Sequence, residues 1–306
     1  MMVSQSGHEP GPSDLRQGVG SLLAAAVQQA RLLAHVRALE GERHPLTSPA
    51  RLARAERYVT EHWTACGLRV ASDEFSYKTG PVVNHLAAPP RTAPGPRLLI
   101  GAHLDTVSGT PGADDNASGL AALLELSQVT ASLLPAARVA FAAFALEECG
   151  MVGSAHYAER LKRERVPLLG MLSLEMLGFT ETRGLQHYPT RWLARRFPSD
   201  GTYIGLAGNL RSRSLLQQVA AAFRAIEGLP VQTIILPGSG RWLPESRLSD
   251  HAPFWDCGFP ALLVTDTAFL RNPHYHQATD TADTLDAAFL TRVTRGIAAT
   301  IERLAA

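Results

Sequence analysis

The sequence predicts an α/β protein, a three-layer sandwich with a mixed, mostly parallel central sheet flanked by helices. Two features carry the prediction. From residue 97 onward, short apolar runs such as RLLIGA (97–102), RVAFAAFA (138–145) and LLGMLSL (168–174) alternate with segments of helical period. Runs without polar alternation suit strands covered on both faces, and helices between them suit the crossovers that parallel strands require. Ahead of them, 68–77 and 82–88 alternate around Gly80-Pro81 and predict two strands at one edge, which makes the sheet mixed.

In chain order, apolar residues at helical spacing predict a helix over 15–39. A second is predicted over 50–66, closed by Gly67 as its C-cap. The two edge strands follow, then a strand at 97–102, a helix over 119–134, a strand at 138–145, a helix over 154–163 and a strand at 168–174. Segment 179–209 has no clear period and reads as an elaborated loop. Beyond it come a helix over 212–226, strands at 231–236 and 260–264, and a closing helix over 287–304. Residues 1–12, polar and rich in Gly, Pro and Ser, read as a disordered lead-in, leaving 13–306 as one domain.

Composition excludes several classes of function. With 29 Lys and Arg against 28 Asp and Glu, the formal charge of +1 creates no field to draw in nucleic acid or an anionic membrane, so the expected partner sits in a pocket. No apolar stretch reaches the ~20 residues needed to span a bilayer. Even 20–27 is broken by Gln28 and Gln29. The start lacks the basic region and apolar run of an export signal, so a cytoplasmic location is expected. Cys66, Cys149 and Cys257 form no Cys-x-x-Cys pair and are too scattered for a disulfide framework, in keeping with a reducing compartment.

In open α/β sheets ligands bind beyond the carboxyl ends of the strands, and the polar clusters of this chain fall there. GAHLDT (101–106) presents His103 and Asp105 at a strand end. The ring suits a metal, and the carboxylate suits the other ring N–H, fixing the tautomer. A strand-end histidine that merely hydrogen-bonds is the alternative. PGADDNASG (111–119) opens a long helix with two adjacent acids, which either cap it or include a carboxylate that bridges two metals. LEECG (146–150) sends Glu147 and Glu148 in different directions, so that one can ligate while its neighbour acts as a base. A solvated strand end would look the same. SLEMLG (173–178) holds a single acid, Glu175, within apolar sequence, where desolvation demands a metal or a cation. NPHYHQATDT (272–281) supplies loop histidines, either ordinary surface residues or the closing ligand of a metal site. A His, then acids, then another His, all without thiolate, suit zinc, with cobalt or manganese as substitutes, rather than a soft copper or iron–sulfur site.

The stretches GAHLDT, PGADDNASG, LEECGMVGS, SLEMLG, SDHAPFWDCGFPALLVTDT and NPHYHQATDT, in this order within 97–286, closely resemble the family of cocatalytic dizinc aminopeptidases. That family also holds glutamate carboxypeptidases and single-zinc glutaminyl cyclases. The resemblance implies two Zn2+ ions: His103 and Glu175 on one, Glu148 and His276 on the other, and Asp115 bridging both. It implies Glu147 as the general base, Asp105 as the residue orienting His103, Tyr275 as a hydrogen-bond donor to the tetrahedral intermediate, and a cis peptide after Asp115. Asp250 and His251 are implied to lie beside the pocket in support of the ligands. Glu175 departs from the pattern, since the better-known members have Asp there, and the longer arm bears on metal spacing and affinity.

The implied activity is removal of amino acids from peptides with a free N-terminus. Glutaminyl cyclisation, carboxypeptidase or dipeptidase action, and a non-catalytic binding module are the alternatives. Tyr275 stands where the cyclases typically have Trp, and no ligand is missing. Substrate preference is expected to reside in 179–209 and 237–248, where Tyr188, Trp192 and Trp242 are either pocket lining or ordinary packing.

Overall fold

Edge strands and buried strands join into one eight-stranded sheet in the computed structural model, which describes residues 21–78 and 80–306. The lead-in expected over 1–12 lies outside the described residues. The strands are β1 (Arg69–Tyr77), β2 (Gly80–Ala88), β3 (Arg97–His103), β4 (Val139–Phe144), β5 (Leu168–Glu175), β6 (Ile204–Asn209), β7 (Val231–Leu236) and β8 (Ala261–Thr265). Across the sheet their order is β1-β2-β4-β3-β5-β8-β6-β7. β3 runs parallel to both β4 and β5, β5 to β8, and β6 to β7, whereas β1 with β2, β2 with β4, and β6 with β8 are antiparallel. The sheet is therefore mixed and mostly parallel.

The period of two along each strand divides its side chains between two cores. Leu98, Ile100 and Ala102 of β3, with Val139 and Phe141 of β4 and Leu172 and Leu174 of β5, face one core. The helices α1 (Leu22–Ala26), α2 (Gln29–Leu39), α3 (Pro49–Ala65), α4 (Gly119–Leu133), α7 (Arg213–Arg224) and α9 (Ala287–Ala305) cover it. Leu99, Ala142, Phe144 and Met171 face the other core, under α5 (Val152–Arg163), α6 (Arg191–Arg196) and α8 (His251–Cys257). Helices on both faces make the three layers.

Connectivity locates the crevice. α4 leads from β3 to β4 over one face, and α5 leads from β4 back to β5 over the other. β4 and β5 flank β3 on opposite sides, so the direction of winding reverses at β3 and the ends of β3 and β5 border an opening.

Two expectations are corrected. The helix expected over 15–39 is, within the described residues, two: the chain is extended at Val27 and Gln28. There the Gln28 N–H donates to Glu125 Oε1 at 2.7 Å, and the Arg31 guanidinium forks the same carboxylate. A tertiary partner thus takes the backbone donor that helix propagation would have used. Segment 179–209 is not all loop, because it contains α6 and β6. β6 reads IGLAGN, and its two glycines mask its strand character. A Cβ on Gly208 would meet Leu262 Cδ2 at 2.7 Å, so the close approach of β8 explains that glycine.

Candidate active site

His103 is the last residue of β3 and Glu175 the last of β5, so parallel pairing brings both side chains to one rim. Asp115 comes from the tight turn that opens α4, where the Asp115–Asn116 peptide is cis. Glu147 and Glu148 follow β4, and His276 lies in the loop after β8. Leu146, Met176 and His276 hold φ near +58°, +48° and +57°. Such values are uncommon for residues with a Cβ, and each turns the chain abruptly at or beside a residue of the cluster.

The five residues converge. His103 Nε2 lies 3.2 Å from Asp115 Oδ1 and 3.5 Å from Glu175 Oε1. His276 Nε2 lies 3.2 Å from Asp115 Oδ2 and 3.2 Å from Glu148 Oε2. Donor atoms of His103, Asp115 and Glu175 lie within 4.8 Å of one another, as do those of Asp115, Glu148 and His276, and Asp115 belongs to both groups. His103 Nε2, Asp115 Oδ1, Glu148 Oε1 and His276 Nε2 are buried, yet none finds hydrogen-bond geometry with any described residue. Nitrogen and carboxylate donors left without hydrogen bonds and aimed at common points fit a pair of hard-to-borderline cations such as zinc.

Supporting contacts fix the cluster. The Asp105 carboxylate does not bond the His103 ring directly. Its Oδ1 lies 3.8 Å from Nδ1, which instead approaches the Asp105 backbone carbonyl at 3.1 Å. The carboxylate accepts the N–H groups of Glu147 at 3.0 Å and Glu148 at 3.1 Å, tying the end of β3 to the turn after β4. Glu175 Oε2 accepts from Ser249 Oγ at 2.8 Å, and Ser249 meets Ser173 Oγ at 2.9 Å, which anchors the longer glutamate arm. Asp250 is buried beside the cluster. His251 lies apart from the ligands: its Nε2 meets the Ser246 carbonyl at 2.9 Å and its ring stands edge-on to Trp255. The Tyr275 ring stacks on His276, centroids 3.7 Å apart.

Several supporting residues escape a reading of the sequence. The Asp280 carboxylate accepts the backbone N–H groups of Asp114 and Asp115 at 2.9 and 3.1 Å. Asp114, the other acid of the adjacent pair, accepts from Gly178 N–H and from Asn272 Nδ2. Arg43, 1% exposed, donates to the carbonyls of Leu39, Gly41, Leu104, Pro111 and Gly112. Asp280 stands four residues past His276 in a stretch that the motif already marked, whereas nothing around Arg43 distinguishes it from a surface arginine.

The charges are strongly coupled to burial. Burial works against protonating His103, yet Glu175 and Asp115 outweigh it and hold the ring well above the usual histidine range. His276 is likewise raised to about 10, with burial opposed by Asp115 and Glu148. Burial, reinforced by Glu175, Asp250 and Glu148, lifts the Glu147 carboxyl well above its ordinary value, and burial carries Asp250 up to about 7. The cluster is an acidic environment that draws in positive charge.

Beside it opens a cleft whose lining includes Glu175 and whose walls include Tyr188, Leu193, Leu206, Ile234, Leu263 and Phe269. Tyr188 therefore lines it, while Trp192 and Trp242, 55% and 51% exposed, do not.

Fold and site define a peptidase-type hydrolase with a candidate metal centre at the rim of a mixed sheet. The chain belongs to peptidase family M28, whose model matches residues 84–301. It is 36% identical over 260 residues to the uncharacterized protein YfbL of Escherichia coli, covering 80% of this chain and 78% of YfbL. An aminopeptidase of Pseudomonas aeruginosa is 34% identical over 142 residues, but those are 46% of this chain and 25% of the enzyme. Among solved structures, LapB of Legionella pneumophila has the same fold with a TM-score of 0.72 at 23% identity, covering 92% of this chain and 73% of LapB. A glutaminyl cyclase of Porphyromonas gingivalis shares it with a TM-score of 0.66 at 18% identity, covering 91% of this chain and 99% of that one. No helix among the described residues is long and apolar enough to cross a membrane.

Proposed function

We propose that residues 13–306 form one catalytic domain, a two-zinc aminopeptidase that hydrolyses the first peptide bond of substrates with a free N-terminus. The reading rests on one observation above the others: Asp115 belongs at once to two groups of metal-competent donors, with His103 and Glu175 in one and Glu148 and His276 in the other. Those five residues would hold the ions. Zinc bound there would supply the Lewis acidity that lowers the pKa of a water towards 7 and polarises the scissile carbonyl.

The chain's own residues do the rest. Glu147 accepts the proton of the attacking water at its carboxylate and returns it to the departing amine. Its backbone N–H, like that of Glu148, is pinned by Asp105, so the base and a ligand move as one unit with the end of β3. Tyr275, its phenol held above the usual tyrosine range by burial and by Asp115, Glu175, Glu148 and Glu147, stays protonated and donates to the carbonyl oxygen as its carbon becomes tetrahedral. Ser249 braces this arrangement through Glu175.

Metal analysis combined with a panel of free-amine, N-blocked and N-terminal glutaminyl chromogenic substrates tests the reading. Two zinc ions per chain with hydrolysis of free-amine substrates alone is the expected result. Turnover of blocked substrates, or cyclisation of the glutaminyl ones without hydrolysis, would replace it.

A further inference from the structure

Resting on that reading, we propose that the cleft beside Glu175 receives the side chain of the substrate's N-terminal residue and that Glu245 selects side chains ending in a cation, those of lysine and arginine.

Glu175 belongs both to the metal-competent cluster and to the lining of the cleft, so a side chain branching from a carbonyl held at the cluster has the cleft beside it. Its walls are apolar and aromatic, suited to a long hydrocarbon stem. Among the described residues that line it, two are acids, Glu175 and Glu245, and none is a lysine, arginine or histidine. Glu175 is engaged by Ser249 and lies against His103. Glu245 is not engaged: it lines the cleft, is only half-buried, and makes no hydrogen bond or ion pair with any described residue.

The cations near Glu245 in sequence are directed elsewhere. Arg247 donates to Asp256 at 2.6 Å and to the Ser239 carbonyl at 2.8 Å, and Arg241 also faces Asp256. A carboxylate at the edge of an apolar cleft with no cation beside it favours a ligand that supplies one. An ammonium or guanidinium at the end of an apolar stem satisfies both the walls and the acid, whereas leucine or norleucine satisfies only the walls.

The test compares lysyl-, arginyl-, leucyl- and norleucyl-p-nitroanilides on the zinc-loaded chain and on Glu245→Gln, norleucine being lysine's stem without its charge. Lysine is expected to exceed norleucine in kcat/KM by roughly ten- to hundredfold, the range of a charge-assisted hydrogen bond. In Glu245→Gln that ratio should fall to near unity. A wild-type ratio at or below one, or a ratio that Glu245→Gln leaves unchanged, overturns the assignment while the aminopeptidase reading stands. Calorimetry of lysinamide and norleucinamide binding to Glu147→Gln separates the converse case. A lysine preference that Glu245→Gln abolishes, in a protein that cleaves none of the anilides, keeps the pocket assignment and removes the aminopeptidase reading. Equal binding of both amides removes the pocket assignment as well.

Discussion

Replacing Arg43 with methionine tests whether the region ahead of residues 84–301 builds the site. The guanidinium is buried, and its donors end on backbone carbonyls rather than on an acid: Leu104 at 2.8 Å, Leu39 at 2.6 Å, Gly41 at 3.0 Å, Pro111 at 3.2 Å and Gly112 at 3.1 Å. Pro111 and Gly112 also accept from Gly41 N–H and Ala117 N–H, so the carbonyls of Leu39, Gly41 and Leu104 depend on the arginine. Stripping a buried acceptor costs about 1–3 kcal/mol, so the three together cost several kcal/mol. Burial also pulls the Arg43 pKa down to about 10, which means that carrying the charge inside already costs roughly 3 kcal/mol that methionine would recover. The net loss should be about 3 kcal/mol, read as the shift of the urea denaturation midpoint of the metal-free chain. Because the same hydrogen bonds hold 104–112 ahead of Asp115, zinc content per chain should fall as well. Arg43→Lys, which keeps charge but loses the planar fork, should recover only part of either quantity. A loss below about 1 kcal/mol with full zinc content would refute the reasoning.

Glu147→Gln should retain zinc while kcat/KM falls by roughly 10²- to 10⁴-fold, and a variant of near-normal rate would show that another group takes the proton. Gly112→Ala should cost at least about 2 kcal/mol and lower zinc content, because φ is +63° and the new Cβ would meet Thr106 Cγ2 at 2.4 Å and the Asp115 carbonyl oxygen at 2.5 Å. Thermal melting and metal analysis check both effects. Burial, with His62 and Arg31 nearby, depresses His35 to about 4, so it is neutral in the fold while the unfolded chain takes up its proton near pH 6.5. Its contribution is complete above pH 6.5 and is lost as pH falls towards 4, by roughly 1 kcal/mol per pH unit. His35→Gln should flatten that part of the stability profile of the metal-free chain, and an unchanged slope would count against it.

Much of this protein can be read from local sequence. The apolar runs at 97–102, 138–145 and 168–174 had to be buried on both faces, and each is a central strand, because a strand with no polar face has nowhere else to go. The acids and histidines at their ends were visible because polar residues interrupt apolar runs there, and the fold brings His103, Asp115, Glu148, Glu175 and His276 together. What remained hidden depended on partners remote in the chain. The break at Val27 and Gln28 follows from Glu125, 97 residues away, and β6 is a strand because β7 and β8 pair with it in spite of its glycines. The Asp105 carboxylate stands too far from the His103 ring to bond it and instead accepts the N–H groups of Glu147 and Glu148, more than 40 residues away. Arg43 acquires its role only when the end of α2 and the 104–112 loop place carbonyls around it. Periodicity and composition act over a few residues and set which segments are buried, whereas hydrogen bonds across more than 40 residues are formed by folding itself, and those decide how the site is held.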